Sequence, residues 1–157
     1  MSKFAFIMLL IVSMFRCAML SAETDMPDPL ADAKTGEWVL YEMPGGMQQR
    51  QTIISVDDNS VTVKMETIIN GTVLSSIEEK MDRSDTTQPA ITDMDGATSY
   101  NGSVQIKGKQ IPCSVYEVSV NGRVSRTYMS NEVPVTGLIK SEMDGNAALQ
   151  LVDYGSK

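Results

Sequence analysis

Chemistry in this chain has few candidates to start from. Of its two cysteines, Cys17 and Cys113, only the second falls outside the leader expected at the start of the chain, and it has no histidine to activate it, because the 157 residues contain none. A Cys/His pair is therefore excluded, and so are the usual proton shuttle near neutral pH and the commonest transition-metal ligand. With no second cysteine beside it, Cys113 makes no intramolecular disulfide. Ile111 before it and Val115 after it mark a strand, which reads Cys113 first as a buried small hydrophobe. A linked partner thiol and a reactive thiol are the other two states open to it.

Two histidine-free routes to catalysis remain, paired carboxylates and serine with a lysine base. The acids are scattered over turns and one polar interval, and Lys140 and Ser141 are adjacent on an expected strand, so their side chains point to opposite faces. Asp93-Met94-Asp95-Gly96 and Asp144-Gly145-Asn146 hold oxygen ligands, but neither continues to the terminal glutamate of an EF-hand loop. Asn70-Gly71-Thr72 and Asn101-Gly102-Ser103 match the glycosylation triplet, which matters only in a glycosylating host. Met65 and Met143 fall on expected core faces, while Met43, Met47, Met81 and Met94 lie near turns and could line an adaptable apolar groove. No catalytic residue, metal ligand or cofactor is assigned on these grounds.

The elements that would position such residues are strands. From Glu37 the pattern has period two, with Val39, Tyr41 and Met43 on one face and Trp38, Leu40 and Glu42 on the other. Asp58-Asn59 reads as a two-residue turn that sets Val56 against Val61, Ile54 against Val63 and Thr52 against Met65, all on one core face. Asn70-Gly71 pairs Ile69 with Thr72, Ile68 with Val73 and Thr67 with Leu74, the strand fading by Ile77. A third hairpin turns at Lys107-Gly108-Lys109, and Pro112, lacking an N–H, places its strand at an edge or bulge. Asn121-Gly122 is the strongest turn and sets Ser119, Glu117 and Val115 against Val124, Arg126 and Tyr128. Val133 to Gly137 reads as a constrained extended segment. For the last hairpin a three-residue loop at Asp144-Gly145-Asn146 is preferred, pairing Met143 with Ala147, Ser141 with Leu149 and Ile139 with Leu151.

The expected fold is thus all-β: an antiparallel meander of about nine strands forming a curled sheet, half-barrel or small barrel. It occupies residues 37–157, with a long loop at about 79–98 and a helical turn near Ser76 to Met81. Asp25, Pro27, Asp28, Pro29, Asp32 and Gly36 make residues 23–36 a flexible arm. Residues 1–22, with Lys3, the apolar run Phe4 to Val12 and the small-residue exit Leu20-Ser21-Ala22, read as a signal peptide. Ser13 and Arg16 interrupt that run short of the roughly 20 residues a membrane span needs. Removing the leader takes away Lys3 and Arg16, and the formal charge goes from -7 to -9. That balance repels nucleic acid and anionic lipid headgroups.

The closing stretch Ser130 to Glu142, continued by Leu151-Val152-Asp153-Tyr154-Gly155, resembles the endings of small uncharacterised exported bacterial proteins. More remotely it is similar to the strand-rich half-barrels of periplasmic lipoprotein carriers of the LolA and LolB type. The likeness implies a curved sheet with an apolar concavity and a periplasmic or extracellular life. On that footing the expected function is a noncatalytic envelope protein binding an apolar ligand, lipid or lipoprotein acyl chain. Val56, Val61, Val63, Met65, Ile139 and Leu151 would line or support the space. The alternative is a structural or protein-interaction module of the cell envelope that docks through an edge strand or the polar loop.

Overall fold

The computed structural model describes residues 30–83 and 97–156. Within them nine strands run in chain order: β1 (Glu37–Met43), β2 (Met47–Val56), β3 (Ser60–Ile69), β4 (Thr72–Asp82), β5 (Ala97–Ile106), β6 (Lys109–Val120), β7 (Arg123–Met129), β8 (Leu138–Met143) and β9 (Asn146–Ser156). They form one sheet in the order β4-β3-β2-β1-β9-β8-β7-β6-β5. Every ladder is antiparallel, so the all-β meander is the observed architecture. Two runs of hairpins, β1–β4 and β5–β9, meet where β1 pairs with β9, and among the described residues β4 and β5 do not pair to close the sheet. It does curl: Lys107, in the turn between β5 and β6, reaches Asp153 on β9 at 2.5 Å. A flat sheet would hold β6 and β9 about 14 Å apart, three strand spacings.

The turns follow the residue types. Asn70-Gly71, Lys107-Gly108, Asn121-Gly122 and Asp144-Gly145 each adopt two consecutive positive φ angles, the geometry that matches strand twist. The Asn121-Gly122 register is the expected one throughout. Pro112 also behaves as expected, because β7 begins pairing only at Ser114 and leaves Pro112 with Ser103 of β5 alone.

Bulges revise the other hairpins. Neither Asp58 nor Asn59 has positive φ, and a turn without it matches the twist of its strands poorly. Val56 still faces Val61, but Ile54 drops out of the ladder, so Ile53 faces Val63 and Gln51 faces Met65. The extra residue exchanges the two faces upstream of it: Ile53 is fully buried and Ile54 is 36% exposed, the reverse of the sequence expectation. In β4 a second bulge sends Thr67 to Ser75 rather than Leu74. That strand runs on to Asp82, so the expected fading at Ile77 and the helical turn near Met81 give way to strand. In the last hairpin the loop has two residues, Met143 facing Asn146, and a bulge then restores the expected pair Ser141 and Leu149.

Residues 130–137 are not extended. The Thr136 N–H donates to the Pro134 carbonyl at 2.8 Å, which closes a γ-turn on Val135 at φ 70. Val133 and Val135 are buried in one core with Val39, Tyr41, Ile139 and Leu151. The arm and the long loop fall partly outside the described residues. At the described end of the arm, Leu30 and Ala33 are buried, and Arg83 donates to the carbonyls of Leu30 and Ala31. The described ends of the loop interval, 79–82 and 97–98, belong to β4 and β5.

Candidate functional site

Side-chain chemistry concentrates at two places, a charged cluster on β6–β8 and the open edge of β4. The cluster follows from register. Glu117 faces Arg126, which faces Glu142, while Tyr128 faces Lys140, and period two puts all five on one face. Arg126 Nε donates to Glu117 Oε2 at 2.6 Å, and Tyr128 Oη donates to Glu142 Oε1 at 3.1 Å. Lys140 Nζ lies 2.5 Å from Glu142 Oε2, and it sits 5.5 Å from the centre of the Tyr128 ring.

Burial opposes the charge of Glu142, but hydrogen bonds from Lys140 and Tyr128, the Lys140 charge and Arg126 outweigh it and hold the carboxyl below its ordinary range. Burial, and then its bond to Glu142, pushes the Tyr128 phenol up to about 12. Two cations offset two carboxylates here and both Glu142 oxygens are engaged, so the arrangement braces three strands and leaves no poised acid or base. Sequence reasoning found the Glu117–Arg126 pair and missed Glu142, whose approach depends on the β7–β8 register.

The β4 edge is the opposite case, apolar groups without cover. Val73 is 49% exposed, Leu74 58% and Ile77 44%. Among the described residues no strand lies on the outer side of β4. Sequence reasoning missed this patch because its exposure depends on strand order, which puts β4 at the edge of the sheet. The signal was present in Val73, Leu74 and Ile77, apolar residues on both faces of a strand that carries Glu78, Glu79, Lys80 and Asp82 further along.

The six residues expected to line a ligand space lie together. Val61, Val63, Met65, Ile139 and Leu151 are each less than a tenth exposed within one core cluster, and Val56 is partly buried against it. Gln49 and Gln51 are buried as well. The Gln51 amide nitrogen donates to Gln49 Oε1 at 3.2 Å, while Gln51 Oε1 has no hydrogen-bond partner. Cys113 is buried opposite Gly102. Burial raises its thiol pKa and a backbone hydrogen bond from Gly102 only partly offsets that, so thiolate is scarce at neutral pH.

Fold and site together define an all-β protein of one open antiparallel sheet with an exposed apolar edge. No protein-family model and no curated protein matches the chain. Among solved structures it is similar to the hypothetical protein CT021 from Chlamydia trachomatis, with 10% identity and a TM-score of 0.49 over 82% of this chain and 90% of that one.

Proposed function

We propose that this is a noncatalytic, exported envelope protein that works as an interaction module, docking an extended segment of a partner protein along β4. The observation that carries the reading is the exposed trio Val73, Leu74 and Ile77 on an edge strand. An open edge supplies a row of backbone donors and acceptors for an incoming strand, and apolar side chains beside it supply affinity. Three acids and one lysine farther along β4 favour a partner strand flanked by basic residues. Docking is favoured over carriage of an acyl chain because the residues that would line a pocket fill the core with one another. Export is part of the proposal and rests on the composition of residues 1–22.

A photo-crosslinking residue placed at Leu74 in the producing cell tests the reading. The expected result is a discrete protein adduct that disappears when Val73 and Ile77 are changed to lysine, with the melting temperature unchanged. Absence of an adduct at Leu74, or lipid recovered stoichiometrically from the purified protein by solvent extraction, would overturn it. Mass spectrometry of the exported form tests the leader, with cleavage expected near Ala22.

A further inference from the structure

Tyr100 on β5 belongs to the same face as the charged cluster of β6–β8. It lies opposite Val115, which lies opposite Tyr128, and Thr98, two residues before it, lies opposite Glu117. The face therefore carries two rows across the strands, one of Thr98, Glu117, Arg126 and Glu142 and one of Tyr100, Val115, Tyr128 and Lys140. Val115 is buried between the two tyrosines, whereas Tyr100 is 49% exposed. Lys140 already lies over the Tyr128 ring, so Tyr100 is the open ring of this face. Its phenol is near enough to act electrostatically on both Arg126 and Tyr128.

The hydrogen-bonding groups beside that ring are only partly used. Arg126 donates to Glu117 Oε2 through Nε and to Glu142 Oε1 through Nη1. Among the described residues Arg126 Nη2, Glu117 Oε1 and the hydroxyls of Thr98 and Tyr100 make no hydrogen bond. Arg126 and Glu117 keep 34% and 31% of their side-chain surface exposed. Donors and acceptors thus stand together at the edge of an uncovered aromatic ring.

Charge and solvation narrow the ligand. Two carboxylates and two cations cancel on this face, which favours neither an anion nor a cation. An apolar ligand would strip water from Arg126 Nη2 and Glu117 Oε1 without replacing the lost bonds, and that is costly. A sugar ring answers both demands: its C–H face packs on the electron-rich face of an aromatic ring, and each of its hydroxyls both donates and accepts. Glu117 stands diagonal to Tyr100, about 7–8 Å across the ladder and within reach of a ring lying on the phenol.

We infer that this face binds a neutral oligosaccharide, with Tyr100 stacked on one sugar ring and Thr98, Glu117 and Arg126 bonded to its hydroxyls. The inference does not rest on docking at β4, which lies at the opposite end of the strand order.

Titration of the purified protein with cellotetraose, chitotetraose and maltotetraose, followed through amide NMR shifts, tests it. At least one of these sugars is expected to bind with a millimolar dissociation constant or tighter, moving the amides of Thr98, Tyr100, Glu117 and Arg126 and leaving those of β4 in place. Tyr100→Ala should weaken that binding roughly 10-fold, the scale of a lost aromatic contact, and Tyr100→Trp should retain it. Val73→Lys on β4 should leave the affinity unchanged. No shift with any of the three sugars, shifts centred elsewhere, or an affinity indifferent to Tyr100→Ala would overturn the assignment. Tighter binding of a glucosamine or galacturonate tetramer than of the neutral sugars would overturn it too, because the face would then be reading charge. Should Tyr100→Ala lower the melting temperature, Tyr100→Ile, which keeps the preference for strand, takes its place with the same expected loss.

Discussion

Tyr41 and Thr136 are joined by a 2.6 Å hydrogen bond across 95 positions of chain. The single phenolic proton is already directed at the Leu138 carbonyl, 2.8 Å away, so the Thr136 hydroxyl donates to Tyr41. The same hydroxyl oxygen accepts the Leu138 N–H at 3.1 Å. Burial pushes the Tyr41 phenol well above its ordinary range, which keeps it a neutral donor. Tyr41→Phe should therefore cost about 1–3 kcal/mol, because a buried carbonyl and a buried hydroxyl lose a partner. Urea denaturation would show this as a lower midpoint with an unchanged slope.

The γ-turn beside that bond makes a sharper forecast. Val135 is fully buried yet sits at φ 70, a region strongly disfavoured for a β-branched residue. Both Val135→Ala and Val135→Gly remove the buried side chain, but only glycine also relieves the backbone. The glycine variant should be the more stable of the two by about 1 kcal/mol, inverting the usual order of alanine over glycine. Thermal melts of the pair check it.

Glu142 gives the fold a dependence on pH. Its carboxyl titrates below the ordinary 4.5 in the folded chain, so the stability it contributes is complete above about pH 4.5 and is lost as pH falls through the lowered value. Tyr128 acts at the other end: its phenol is raised from 10.0 to about 12, so stability is lost as pH rises between those values. Glu142→Gln should cost about 1–3 kcal/mol at pH 7 and much less in acid. Melting curves of the two proteins should converge as pH falls through that lowered value.

The bulge in β2 can be read out by a pair of neighbours. Ile53→Ala should destabilise by about 2–5 kcal/mol, as for a large core side chain, and Ile54→Ala by less than about 1 kcal/mol. An unbulged hairpin would give the opposite ranking.

What the sequence by itself determined is local. Asn70-Gly71 and Asn121-Gly122 dictate their turns through residues that accept positive φ, alternation from Val39 to Met43 marks a shared face, and alternation from Val61 to Met65 marks a buried one. These are statements about neighbours in the chain, and they held. A bulge adds one residue and exchanges every face beyond it, and nothing in the Thr52-Ile53-Ile54-Ser55 run distinguishes the two isoleucines; the core picked Ile53. The pairing of β1 with β9, the outer places of β4 and β5 among the described strands, the approach of Glu142 to Arg126 and the bond from Tyr41 to Thr136 all depend on residues that local propensity does not relate. They exist because the curled sheet, once formed, rewards burying Tyr41, Val135 and Leu151 in one place, and only the tertiary structure could decide which distant strands would meet there.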